Sequence, residues 1–222
     1  MELKDFMGGP GLIVLAVAAV VGFALLSFYL AAQRRKKLSE LAASIGLVFT
    51  EDGPDAASLA ATGIELFRAG RSQSAANVIR TAVPAGEISV FDYSYVTGSG
   101  KNRTTHNFTV GLVACAKLQV PSFDLKPETF IYKLGEVIGF KDIDLPAFPL
   151  FSDKYRLTGA DEAAVHMFFT PDRAAWFERN LGLRVQGSRG HVVVFKREGR
   201  LPVEAWQGFI EEVKTFASEV LK

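Results

Sequence analysis

The chain has 222 residues, with 25 Lys and Arg against 24 Asp and Glu, 18 phenylalanines and one cysteine. Near-neutral charge speaks against nucleic-acid binding, which needs a basic face. The lone cysteine rules out an intramolecular disulfide, in keeping with a reducing compartment.

Residues 11–32 read GLIVLAVAAVVGFALLSFYLAA, without a charge. At 1.5 Å per residue they make about 33 Å of helix, enough for a hydrocarbon core of about 30 Å. They show no polar stripe, as an amphipathic core helix would. A cleaved signal peptide would have a shorter apolar run behind a basic start; here the start carries Glu2, Lys4 and Asp5. The run ends in Arg34, Arg35, Lys36 and Lys37. These four are expected to contact the membrane surface and its anionic headgroups. By the positive-inside rule they hold residues 33–222 in the cytoplasm and leave 1–10 outside. The expectation is a single-pass protein of the inner (cytoplasmic) membrane. Ala18 and Gly22 stand four apart and could let another helix approach, a spacing that arises easily in an alanine-rich span.

Leu38, Leu41, Ala42 and Ile45 keep helical spacing and stop at Gly46, so 33–46 reads as a basic juxtamembrane helix. Residues 47–222 form the soluble domain, and truncation to about residue 38 is expected to leave it folded. A division into two subdomains between 120 and 160 stays open. Residues 47–50 read as a short strand, 51–63 as an acidic stretch with a short helix capped by Asp55, and 70–76 as a polar loop. The stretches 77–83, 87–96 (EISVFDYSYV) and 104–117 are strands of an antiparallel meander, turned at Pro84 and Gly86 and at the loop 97–103. In the third strand His106, Phe108, Val110, Leu112 and Ala114 share a face.

Helices follow. Pro127 starts one, striped by Phe130, Ile131, Leu134, Val137 and Ile138 and stopped by Gly139. Thr158 to Asp161 resembles a capping box for 160–169, and Thr170 with Pro171 opens a third helix that ends near Gly182. A hairpin is expected over 183–188 and 191–197. The last helix starts at Pro202 and puts Val203, Trp206, Phe209, Ile210, Val213, Phe216, Ala217 and Val220 on one face. Strands come first and helices after, so the class is α+β: one N-terminal transmembrane helix, then an antiparallel sheet packed by helices.

The tempting sites are weak on inspection. Gly98, Ser99, Gly100 and Lys101 suggest a phosphate loop, but Tyr95 stands where its first glycine belongs and Asn102 replaces the magnesium-binding hydroxyl. The loop also joins two strands, with no helix N-terminus to face phosphates. Residues 98–103, Gly98, Ser99, Gly100, Lys101, Asn102 and Arg103, read instead as a recognition loop whose cations meet an anionic partner or the membrane. Glu162 and His166 share a helix face, which makes only half a metal site. Asp142 and Asp144 share one face of a strand without the glycine of a calcium loop. No GxSxG elbow occurs, and Cys115 sits between alanines as a buried, inert thiol.

At FDYSYVTGSGKNRTTHNFTV, residues 91–110, the chain resembles a family of bacterial membrane-anchored proteins of unknown function. The likeness continues through PSFDLKPE (121–128), GFKDIDLP (139–146) and FSDKYRLTGADE (151–162), roughly half the soluble domain. It implies a bacterial membrane protein and supplies no active site; some relatives have two spans where one is present here. The leading functional reading is a non-enzymatic module that binds an unknown protein partner or a headgroup at the lipid bilayer, with no cofactor, metal or nucleic acid. The competing reading is a membrane-tethered hydrolase whose site is assembled in space.

Overall fold

Helix α1 (Pro10–Ser44) runs unbroken for 35 residues, about 52 Å. In the computed structural model, which describes residues 10–115, 117–128 and 142–221, its two halves differ. Every side chain from Leu12 to Gln33 is exposed, including Phe28 at 77%. This stretch is long and apolar enough to cross a membrane. The second half enters the domain: Leu38 and Ala42 are fully buried. The helix stops where the sequence says it should. Gly46 takes φ +69°, and the Gly46 and Leu47 amides cap the carbonyls of Ala43 and Ala42.

The chain then builds one eight-stranded sheet: β1 (Val48–Asp52), β2 (Arg71–Val83), β3 (Gly86–Thr97), β4 (Thr104–Cys115), β5 (Phe123–Pro127), β6 (Tyr155–Gly159), β7 (Arg184–Ser188) and β8 (His191–Phe195). The spatial order is β1-β2-β3-β4-β8-β7-β5-β6, and every neighbouring pair is antiparallel. The expected meander is β2-β3-β4, and the expected later hairpin is β7-β8. The β3–β4 ladder is uninterrupted from Gly86↔Cys115 to Thr97↔Thr104.

Both faces of the central strands are covered, which is why EISVFDYSYV is apolar on both sides. Ile88 and Val90 join a core with Leu38, Val113, Trp206, Phe209, Val213 and Phe216. Phe91 and Tyr93 point the other way, into a second core with Phe67, Phe108, Val110 and Leu112. The helices on the first side are α4 (Pro149–Lys154), α5 (Glu162–Phe168), α6 (Pro171–Arg179) and α7 (Trp206–Val220). The second side carries α2 (Ala56–Ala61), capped by Asp55 as expected, and the single turn α3 (Glu65–Arg68). Helix α7 lies close against β4: a Cβ built at Gly111 would stand 2.5 Å from Val213 Cγ2.

The structure corrects several expectations. Residues 71–76 are strand, not loop, because they pair along β3, and Ala76 also meets β1. Two strands, β5 and β6, were not expected. Pro127 ends β5 opposite Tyr155; the helix expected from it to Gly139 lies outside the described residues. Thr158 belongs to β6, and the cap of α5 is Asp161, whose carboxylate accepts from the Ala164 amide at 3.0 Å. One sheet runs through both halves of the chain, so helices and strands alternate after β4. Asp142 and Asp144 do share an exposed side, alternating with buried Ile143 and Leu145. They lie in irregular chain beside β6, where Asp142 accepts from the Leu157 amide.

Candidate functional site

The junction between α1 and the domain is the most strongly built polar feature. Asp92 lies mid-strand on β3, 2% exposed. A carboxylate so buried needs compensation. It receives Arg34 through Nε at 2.7 Å and Nη2 at 2.9 Å, Asn77 Nδ2 at 3.0 Å and Thr109 Oγ1 at 3.0 Å. Arg34 Nη2 also donates to the Leu201 carbonyl at 2.8 Å, the Leu201 amide donates to Thr109 Oγ1, and the guanidinium stands 5.7 Å from the Trp206 ring centre. Asn77 reaches Asp92 from an irregular stretch of β2, at φ +58°, so the bulge aims the side chain.

The Arg34 guanidinium is therefore taken up inside the domain and is not free for headgroups. Arg34 is a domain residue, and with Leu38 and Ala42 it places 34–45 inside the fold rather than outside a boundary at 47. The rest of the basic run is exposed. Arg35 pairs with Glu51 at 2.6 Å, Lys36 lies 3.9 Å from Glu40, and Lys37 faces solvent.

The loop 98–103 is an exposed hairpin tip. Gly100–Asn102 forms one 3-10 turn, closed by the Asn102 amide on Ser99 O at 3.0 Å. Gly98 has φ +66°, and a Cβ there would meet Asn102 O at 2.1 Å, so glycine is required. The chain continues into β4, which leaves no helix N-terminus at the tip. The base is fixed more firmly. His106 stacks on Tyr95 with centroids 4.8 Å apart, and its ring nitrogens lie 2.8 Å from Thr97 Oγ1 and 2.8 Å from Glu198 Oε1.

A cleft of about 560 Å³ opens between α2–α3 and strands β5–β7, lined by Gly63, Glu65, Arg68, Ser122, Asp124 and Gly187. Its chemistry is self-satisfied. Asp124 is taken up by Arg184 at 3.1 Å and Lys126 at 2.9 Å, and Ser122 Oγ meets Ser188 Oγ at 3.0 Å. Burial pushes the Cys115 thiol up to about 11, slightly offset by Arg173, which keeps it a thiol rather than a nucleophilic thiolate. Burial likewise raises the Tyr155 hydroxyl to about 12. Glu162 and His166 form a surface pair at 3.6 Å, and among the described residues no three metal-ligating side chains converge.

The sequence offered no pointer to the cleft. It did hold a pointer to the junction: an acid, Asp92, in the middle of the apolar strand β3.

No family model matches the chain, and no curated protein matches it. Its fold is similar to the crystal structure of the mycobacterial trehalose monomycolate transport factor A, TtfA, with a TM-score of 0.55 and 12% identity over 83% of this chain and 93% of that one. At that identity the likeness is one of fold: an α+β architecture of antiparallel sheet and helices, here preceded by a long apolar helix that suits a membrane-anchored protein.

Proposed function

We propose that this is a single-pass protein of a bacterial inner membrane whose cytoplasmic domain is a non-enzymatic interaction module, serving as an accessory to transport at that membrane. One observation carries the reading: α1 is continuous, with an apolar half that stands free of the domain and a basic half built into its core. Such a helix mounts the domain rigidly instead of tethering it on a flexible linker. The protein of similar fold is named a transport factor, which supports an accessory role, and the partner is then a protein of the same membrane. The four cations after the apolar stretch favour a cytoplasmic domain.

The test is site-directed photo-crosslinking in native membranes, from cleft position Ser122, from tip position Ser99 and from position Lys154 as a control. A discrete adduct with one membrane protein, from Ser122 or Ser99 but not Lys154, is expected. Equal labelling at all three would sink the reading. The hydrolase alternative places its chemistry in the cleft, and a serine-directed fluorophosphonate that labelled Ser122 would favour it; no labelling is expected, because the nearest partner of Ser122 is another serine.

A further inference from the structure

Strand register shows which charged residues share one end of this domain. Arg34 on α1, Ala76 on β2, Asp92 on β3 and Thr109 on β4 stand at one level, through the Arg34–Asp92 pair and the register Ala76↔Asp92↔Thr109. Glu51 of β1 joins that level by pairing with Arg35. Helix α1 descends from there to Gly46, and β1 climbs back antiparallel to it. Towards its N-terminus, α1 thus leaves on the side to which β1 and β3 run and from which β2 and β4 come.

That side of the sheet ends in cations. Arg71 lies at the end of the β2 ladder opposite Val96. Five residues beyond Asp92, about 16 Å of strand, come Thr97 and then the tip with Lys101 and Arg103. After β8 the chain makes a short excursion to the same end. Glu198 reaches His106, and Gly199 bridges Phe108, its amide on Asn107 O at 2.6 Å. This brings in Arg197 and Arg200. All five cations are exposed, and among the described residues none forms a salt bridge. Of the acids on this side, Glu198 is held by His106, while Asp52 at the end of β1 is exposed. In a chain with 25 basic and 24 acidic residues, three segments distant in sequence thus gather cations at the end from which the apolar helix departs.

We propose that this end is a headgroup-binding face: Arg71, Lys101, Arg103, Arg197 and Arg200 bind the phosphates of anionic phospholipids and hold the domain in one orientation against the bilayer. The proposal rests on the reading of α1 as a membrane anchor. A lipid surface is favoured over other anions because α1 already brings the bilayer to this end. Binding is then effectively intramolecular, so individually weak contacts suffice. Each cation near an anionic surface adds about a fivefold preference, screened by salt.

The test uses the full chain in nanodiscs, with an environment-sensitive fluorophore on Asn102→Cys and, as a control, on Met167→Cys; buried Cys115 is spared by the label. Headgroup spin-labelled lipid should quench the tip fluorophore several-fold more in discs with roughly 30% phosphatidylglycerol than in zwitterionic discs. Quenching at Met167 should not change. The difference should vanish at high salt and in a variant with all five cations changed to Gln, whose near-ultraviolet circular dichroism verifies its fold. Equal quenching in both discs, or a difference that survives neutralisation, overturns the proposal. Shielding of the tip in native membrane vesicles, without quenching in anionic discs, would assign the face to a protein and also overturn it. Failure of the anchor reading is seen separately, as release of the protein from membranes by alkaline carbonate.

Discussion

Arg34→Ala should be the most damaging single substitution in the basic run, although it stands in a stretch that reads as surface. The Asp92 side chain is 1% exposed and that of Arg34 17%, so solvent replaces little of what is lost. Removal strips two charge-assisted bonds of 2.7 and 2.9 Å from the carboxylate and a third, of 2.8 Å, from the Leu201 carbonyl. Asn77 and Thr109 remain, two neutral donors facing a buried charge. Breaking a buried pair by removing one partner costs about 3–5 kcal/mol. In a domain of this size that lowers Tm by about 6–20 °C. Arg34→Lys keeps the charge but loses the planar fork and should fall between. Arg34→Met with Asp92→Leu removes both charges and should recover most of the loss. Thermal unfolding of the full chain in detergent, followed through the buried Trp176 and Trp206, measures all four proteins. Arg34→Ala within about 1 kcal/mol of wild type would refute the reasoning, as would a double variant less stable than Arg34→Ala. The same logic moves the limit of the independent domain: a fragment from Gln33 should fold cooperatively, and one from Ser39, lacking Arg34 and Leu38, should not.

Gly111→Ala should destabilise by about 1–3 kcal/mol through overpacking, because its new methyl would stand 2.5 Å from Val213 Cγ2; urea unfolding would show it, and a neutral result would mean that α7 is not seated on β4. Cys115 should resist alkylation at pH 8 in the folded protein and react fully in denaturant. Its folded ionisation is raised from about 9.0 to about 11, so the native state binds the proton more tightly between those values. Its contribution to stability is full below pH 9 and disappears as pH rises towards 11; a midpoint of alkylation near 9 in the folded protein would contradict this.

Local pattern was legible, and partnership over distance was not. The stripe of α7, the cap at Asp55, the stop at Gly46 and the β2-β3-β4 meander follow from periodicity and turn residues, and each appears where the residues put it. The 71–76 stretch, RSQSAA, is polar and reads as loop, yet pairing with β3 imposes strand; tertiary pairing overrides propensity. Strand β6 was hidden because Thr158 and Asp161 imitate a capping box, and β5 because a five-residue strand ending in proline gives almost no alternating signal. Asp92 was visible as an oddity, but its partner lies 58 positions away inside a run whose obvious meaning is topological. The cleft draws its lining from four regions of the chain, and nothing in any one of them marks it.

Arg34 and its three neighbours thus do different work within one basic run, and a test of orientation has to separate them. Changing all four to Asn removes the orientation signal and also the partner of Asp92, so a misplaced protein and a misfolded one would look alike. Arg35 and Lys36 make surface pairs with Glu51 and Glu40, worth about 0–1 kcal/mol each, and Lys37 is exposed. Arg35→Asn, Lys36→Asn and Lys37→Asn together should therefore lower Tm by no more than a few degrees, while leaving one cation of the four. Under the proposed topology a reporter active only outside the cytoplasm, fused after Lys222, is silent in the wild type and gains activity in the triple variant. Arg34→Asn keeps three of the four charges, so its reporter should stay silent while its stability falls. A reporter active in the wild type would end the topology; a triple variant that unfolds while Arg34→Asn does not would mean that the junction is held by surface charge and not by the buried pair.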